Sequence, residues 1–161
     1  MLDIEPYISD SWKENPEEYM DRYISCMKKG YKFAQKNHLR TAICIPRHYD
    51  NQGLTSGLEE LIKETCDEVA VMNYSCGNEI EAIRTEAALS EKYGKELHCI
   101  LEFQEVGKHG LTENKTYRNK GIDNAKETWE KLQKEYKNIN VTRDYHWSRP
   151  VREMLEEKNA D

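Results

Sequence analysis

The sequence lacks any apolar run long enough to cross a bilayer, and it does not open with a signal peptide. We therefore expect no membrane partner. If the chain is a piece of a longer protein, however, the missing N-terminal part could carry a signal.

Paired cysteines are also missing. The five cysteines are odd in number, widely spaced and without a C-x-x-C pair, so neither a disulfide framework nor a zinc site is expected. They are Cys26, Cys44, Cys66, Cys76 and Cys99. This pattern favours a reducing compartment, and we predict a cytoplasmic location. No H-E-x-x-H, G-x-G-x-x-G or P-loop motif is present, so we expect no metal and no cofactor.

An excess of positive charge is absent as well. The 24 Lys and Arg residues are outnumbered by 30 Asp and Glu residues, and the two signs are interspersed. A nucleic-acid-binding protein would carry a basic stripe, so no nucleic-acid partner is expected. The mean hydropathy of -0.96 reflects long charged helix faces. A chain of 161 residues fits one domain, and we predict a single α/β domain over residues 1–161.

What the sequence does contain is an alternation of short apolar segments and amphipathic helices. The patterns predict strands over 2–5, 41–45, 69–74, 97–103 and 139–147, and helices over 16–38, 58–66, 78–93, 121–136 and 151–157. Such an alternation implies parallel strands joined by right-handed crossovers. A full (β/α)8 barrel needs about 250 residues. Two folds therefore stay open, a partial TIM (β/α)8 barrel and an open five-stranded parallel flavodoxin-like sheet.

The first strand carries two acids on one face. Asp3 and Glu5 alternate with Leu2 and Ile4, and Pro6 ends the strand because it has no N–H for the sheet ladder. Parallel α/β sheets and barrels carry their chemistry at the carboxyl ends of strands. The residues that we expect to take part in catalysis or binding all lie at or just after the ends of predicted strands: Glu5, Tyr49, Tyr74, Glu102 and Trp147.

Three short motifs resemble the family 18 glycoside hydrolases, the chitinase-like barrels. Asp3-Ile4-Glu5 is similar to the end of the D-x-x-D-x-D-x-E signature on their fourth strand, and Met72-Asn73-Tyr74 resembles M-x-Y on the sixth. Trp147 corresponds to a tryptophan that ends the eighth. Ser75 stands where the family usually has an aspartate. The segments L-D-I-E-P-Y and E-V-A-V-M-N-Y also resemble a group of uncharacterised bacterial barrel proteins.

The resemblance implies that the chain holds strands four to eight of a barrel and acts on a carbohydrate or another small polar ligand. Glu5 would be the general acid, Asp3 would orient an N-acetyl group that attacks the anomeric carbon, and Tyr74 would hydrogen-bond its carbonyl. Trp147 would stack under the sugar. Further candidates for substrate binding are Tyr49, Met72, Trp12 and Arg47.

Four other interpretations remain open. Glu5 and Glu102 could instead form the carboxylate pair of a retaining glycosidase, whose carboxyl groups lie about 5–5.5 Å apart. Asp3 and Glu5 could belong to a structural ion network with Arg47 or Arg143. The chain could also be an inactive fragment, or a non-catalytic ligand-binding or protein-interaction module. Strands four to eight alone would leave two unpaired edges, so we expect self-association or pairing with a missing N-terminal half.

Overall fold

The computed structural model describes residues 1–160, with side chains described as far as residue 158. The strands are β1 (Leu2–Asp3), β2 (Ala42–Pro46), β3 (Glu68–Met72), β4 (Glu96–Glu102) and β5 (Val141–His146). The helices are α1 (Asp10–Glu14), α2 (Pro16–Lys36), α3 (Thr55–Thr65), α4 (Glu79–Ala82), α5 (Arg84–Tyr93), α6 (Ile122–Glu135) and α7 (Ser148–Ala160).

The five strands form one open sheet in which every neighbouring pair is parallel. This confirms the predicted α/β class with an open five-stranded parallel sheet. The strand order is β1-β2-β3-β4-β5 and follows the chain. A flavodoxin sheet has the strand order 2-1-3-4-5 and binds its ligand at the point where the strand order reverses. The strand order in this sheet does not reverse, so it has no such point among the described strands.

Two predicted elements differ from the structure. The first strand pairs with β2 only through Leu2 and Asp3, because a 3-10 turn begins at Pro6 and draws the chain away from the sheet. The helix expected over 78–93 is two helices, because Ile83 has a φ of -123° and interrupts the helical backbone. The side chain of Ile83 is fully buried, so the interruption of the helix directs an apolar side chain towards the core.

The helices pack against one face of the sheet only. Every second side chain of the strands lies on this face and packs with helix residues in one continuous core. Examples are Ile43, Val69, Leu97 and Val141. The intervening residues Cys44, Ala70 and Ile100 form a second, small cluster on the opposite face, against Met72 and Tyr74. That opposite face carries no helix within residues 1–160 and is called the open face below.

Charged groups at the middle of the open face are paired with one another. His98 on β4 lies between two carboxylates, with Nδ1 2.7 Å from Asp144 and Nε2 3.0 Å from Glu68. The hydrogen bond to Asp144, followed by that to Glu68, raises the pKa of His98 against the opposing effect of its burial. Glu68 also forms an ion pair with Arg40, with 2.8 Å between the guanidinium nitrogen and the carboxylate oxygen. This network ties β3, β4 and β5 together below the site.

Candidate functional site

A cleft of about 1000 Å³ lies over the open face at the carboxyl ends of the strands. Several of the predicted site residues line it, namely Asp3, Glu5, Met72, Tyr74, Glu102 and Trp147. They come from β1, β3, β4 and β5 or from the residue or two after them. The volume is at the upper end of the range for small-molecule sites.

The two acids of the first strand face the cleft without a cationic partner. Among the described residues, neither Asp3 nor Glu5 forms an ion pair with Arg47 or Arg143, and the hydroxyl of Tyr7 donates to Glu5 instead. Burial and the nearby carboxylate of Asp3 raise the pKa of the Cys44 thiol to about 12. Cys44 is therefore protonated near neutral pH and is not a nucleophile.

The M-x-Y segment is held so that both of its outer residues face the cleft. Asn73 between them is buried, its backbone N–H donates to the carbonyl of Ile100 at 2.9 Å, and its Nδ2 donates to the carbonyl of Glu79 at 2.9 Å. Tyr74 is half-buried, and burial together with the carboxylates of Glu102, Asp3 and Glu5 raises its pKa. Its hydroxyl therefore keeps its proton and can donate a hydrogen bond to a ligand.

Trp147 follows β5 directly and presents an exposed ring to the cleft. Its side chain is among the most exposed apolar groups, at 53%. It also borders a neighbouring pocket of about 320 Å³, so the ring separates two concave surfaces. The peptide bond between His146 and Trp147 is cis.

Glu102 is oriented towards the cleft but is 2% exposed. Its Oε1 accepts the backbone N–H groups of Phe103 and Gln104, each at 2.8 Å, and its Oε2 lies 2.9 Å from Nδ1 of His146. Burial alone would raise the pKa of Glu102, but the His146 and backbone hydrogen bonds outweigh it and the pKa is lowered. A carboxylate with both oxygens occupied is poorly placed to attack an anomeric carbon, which argues against the Glu5/Glu102 retaining pair.

His146 is a cleft residue that the sequence prediction missed. It lies opposite Glu102 in the β4–β5 register, lines the cleft, and keeps its imidazole half-exposed. Its ring lies 6.1 Å from the ring of Tyr74, centroid to centroid. The available signal was its position one residue before Trp147, at the end of a predicted strand.

Three predicted substrate-binding residues lie elsewhere. Tyr49 is fully buried and Trp12 is 3% exposed, and their rings pack 5.5 Å apart in the core on the helix-covered side of the sheet. Arg47 lies in the loop after β2 and is not among the residues that line the cleft. The helical backbone of Tyr49, with φ -63° and ψ -40°, explains its inward orientation, because it breaks the alternation of the strand.

The long loop after β4 forms one wall of the cleft. The hydroxyl of Thr116 donates to the carbonyl of Gln104 at 2.6 Å, and the N–H of Tyr117 donates to the carbonyl of Glu102 at 2.8 Å. These bonds fold the loop back onto the end of β4. His109, Leu111 and Lys115 thereby reach the lining.

No protein-family model, curated protein or solved structure matches this chain. Among the described residues no three His, Cys, Asp or Glu side chains form a group suited to a metal ion. In the same part of the chain, no helix combines the length and apolar character needed to cross a membrane.

Proposed function

We propose that this chain is a glycoside-hydrolase-like protein of the chitinase-like barrel type, which binds a carbohydrate in the cleft and uses Glu5 as general acid. The observation that carries the proposal is the convergence of Asp3, Glu5, Tyr74 and Trp147 on one cleft, although they are as far apart as the two ends of the sequence. Carboxylates, a tyrosine hydroxyl donor and an exposed indole are the groups that a sugar site needs.

The contacts support a role for each of these residues. Glu5 accepts the hydroxyl of Tyr7 with one oxygen, which orients its carboxyl group and leaves the other oxygen for the glycosidic oxygen. Asp3 lies on the same face of β1 and would orient an N-acetyl group, with the protonated Tyr74 hydroxyl at its carbonyl. Trp147 offers an apolar ring face for the sugar. The cysteine pattern supports a reducing cytoplasm as the compartment.

The test is a binding and hydrolysis assay with N-acetylated and unacetylated β-linked oligosaccharides. Trp147→Ala is expected to weaken binding about tenfold, because the apolar surface under the sugar is lost. Titration calorimetry measures the binding, and reducing ends report hydrolysis. Phe33→Ala is the control, since Phe33 is an aromatic residue on α2 that is more exposed than Trp147 and is not among the residues that line the cleft.

Three outcomes separate the candidates. Hydrolysis by the wild type with a selective defect in W147A supports the proposal. Binding without turnover favours the non-catalytic ligand-binding module. If none of the oligosaccharides binds or is cleaved, the carbohydrate assignment is wrong.

We also propose that the chain self-associates through the β1 edge of the sheet. Among the described residues β1 has a neighbouring strand on one side only, and Leu2 and Ile4 are 39% and 44% exposed. Unpaired edges with exposed apolar residues favour association, and the second copy would supply what an N-terminal half-barrel supplies in a complete barrel.

Light scattering at micromolar concentration is expected to give a mass above the 19.0 kDa of one chain. Leu2→Lys should restore the single-chain mass, because Leu2 belongs to β1 and a charge at the edge resists pairing. Ile8→Lys is the control, since Ile8 is exposed but lies outside the strand. A wild type that is already monodisperse at the single-chain mass contradicts this proposal.

A further inference from the structure

We infer that a second pocket beside the cleft binds a sugar unit that carries a negative charge, so that the substrate is an acidic oligosaccharide. The charged group is the carboxylate of a hexuronic acid or a sulfate ester, which present similar anionic oxygens. This inference rests on the proposed function and deepens it, since it names the class of carbohydrate. The roles proposed for Asp3, Glu5 and Tyr74 in the cleft stay as they are.

The second pocket, called the side pocket below, is contiguous with the cleft. It has a volume of about 320 Å³ and is lined by the long loop after β4 and by the first turns of α7. Gln104, His109 and Trp147 line both the cleft and the side pocket, so these residues form the ridge between the two. The volume is at the lower end of the range for small-molecule sites. The side pocket therefore suits the neighbouring unit of a sugar bound in the cleft.

Cationic side chains from both walls line the side pocket. Lys108 and Arg118 belong to the loop after β4, and Arg149 belongs to the first turn of α7. Lys108 forms no ion pair with another described residue. Nε of Arg149 donates to Glu153 at 3.0 Å, and within the described chain its two terminal nitrogens have no hydrogen-bond acceptor. These ammonium and guanidinium groups are therefore available to bind anionic oxygens of a ligand.

Arg118 joins the two walls of the side pocket. Its side chain is 16% exposed, one terminal nitrogen donates to the carbonyl of Pro150 at 3.3 Å, and the other lies 3.0 Å from Glu157. These contacts fix the loop after β4 against α7 before a ligand binds. The walls that carry Lys108 and Arg149 are thus already in place, which lowers the entropic cost of binding.

The backbone of the loop is tightly turned where it meets both concave surfaces. His109 has a φ of 48°, and Gly107 and Gly110 on either side of it have φ values of 91° and 74°. Few residues other than glycine adopt this left-handed conformation, and such residues are often found at functional sites. The turn places Lys108 in the lining of the side pocket and His109 in the lining of both.

The charges that line the side pocket leave it positive. Glu105 and Glu153 are its two carboxylates, and they face three Lys and Arg side chains. Glu153 is paired with Arg149, and Glu105 has no cationic partner among the described residues. The cleft, by contrast, is lined by more carboxylates than Lys and Arg side chains. An acidic sugar unit is therefore favoured in the side pocket, and an uncharged N-acetylated unit is favoured in the cleft.

The first test compares ligands on the unaltered protein by titration calorimetry. The ligands are β-linked oligosaccharides of equal length that share an N-acetylated hexosamine. One is neutral, two carry a hexuronic acid on either side of the hexosamine, and one carries a sulfate ester. The preferred acidic ligand is expected to bind about tenfold more tightly than the neutral one. Raising the salt concentration from about 0.01 M to about 0.15 M should reduce this preference, because the Debye length falls from about 30 Å to about 8 Å.

The second test measures the same preference in variants of the side pocket. Lys108→Gln and Arg149→Gln are each expected to reduce it about threefold, because an attractive charge is lost. Glu105→Gln is expected to increase it about twofold, because a repulsive charge is lost. Arg152→Gln is the control, since Arg152 is an exposed arginine on α7 that lines neither the cleft nor the side pocket. The preference is a ratio within one variant, so a general loss of folded protein does not change it.

Each result counts for or against the inference. Shifts of opposite sign in K108Q and E105Q support it, and the comparison of the uronic acid and sulfate ligands identifies the charged group. Equal binding of neutral and acidic oligosaccharides by the wild type overturns the inference and leaves the proposed function in place. An acidic preference that both K108Q and R149Q retain in full also overturns it, because the anion then binds elsewhere. If no oligosaccharide binds, the proposed function is wrong and the inference fails with it.

Discussion

Replacing Glu5 by glutamine is expected to lower kcat for an unactivated oligosaccharide by about 10²- to 10⁴-fold, the usual contribution of a general acid. The amide keeps the size of the side chain and an oxygen that accepts the Tyr7 hydroxyl, so the local structure should persist. It has no acidic proton, however, and the leaving sugar would have to depart as an alkoxide. KM should change little, since Glu5 acts on the bond that breaks.

The dependence on the leaving group distinguishes acid catalysis from a general loss of activity. A dinitrophenyl glycoside has a leaving group acidic enough to depart without a proton, so E5Q should cleave it nearly as fast as the wild type. Comparing kcat for the two substrates gives the measurement. Glu14→Gln is the control, because Glu14 is exposed at the end of α1. An equal defect on both substrates would contradict the role of Glu5 as the acid.

The alternation of elements and the acidic first strand could be predicted from the sequence because both depend on local patterns. Short apolar segments between helices imply parallel strands, and parallel strands bring their carboxyl ends to one edge. Tyr74 lies two residues after Met72 on the same face, so the alternation of the strand determines its direction. Trp147 lines the same cleft as its neighbour His146, and alternation therefore does not explain its direction. Tyr49 lies three residues beyond β2 in helical backbone, and its direction could not be read from the strand.

The Glu102–His146 contact could not be predicted, because it depends on the register of two strands. Glu102 and His146 are direct partners in the β4–β5 ladder, and a shift of one residue would have turned the histidine to the covered face. The spacing of His98, Ile100 and Glu102 in the sequence shows only that these residues share one face of the strand. The packing of the whole sheet sets the register between two strands. The sequence of one strand carries no information about that packing.

Glu86 is a second case in which local pattern misleads. It lies in the first turn of α5, where an acid is favourable beside the helix dipole, and the Glu- and Lys-rich helices were expected to have solvated faces. The structure buries it completely, and neither carboxylate oxygen has a hydrogen-bond partner among the described residues. Burial raises the pKa of Glu86 to about 7.

Glu86→Gln is therefore expected to stabilise the protein at pH 8 and not at pH 4.5. In the unfolded chain the carboxyl group ionises near its ordinary pKa of 4.5, whereas in the folded chain it keeps its proton up to about pH 7. The folded state thus binds more protons between these values, and the free energy of unfolding falls as the pH rises through this window. Above pH 7 the wild type has lost about 3 kcal/mol of its free energy of unfolding through this group. The uncharged amide of E86Q does not titrate, so the variant does not lose this stability.

Urea unfolding of E86Q and wild type at pH 4.5, 6 and 8 measures this difference. The free energy of unfolding of E86Q relative to the wild type should rise by about 3 kcal/mol across the series. Glu127→Gln, at an exposed position on α6, should show no such rise. A constant difference between E86Q and wild type at all three pH values would mean that Glu86 is ionised in the folded chain, and so finds a partner or solvent. Glu86 does not line the cleft, so E86Q should bind glycosides as the wild type does. The variant therefore changes the stability of the fold without changing the site at the strand ends.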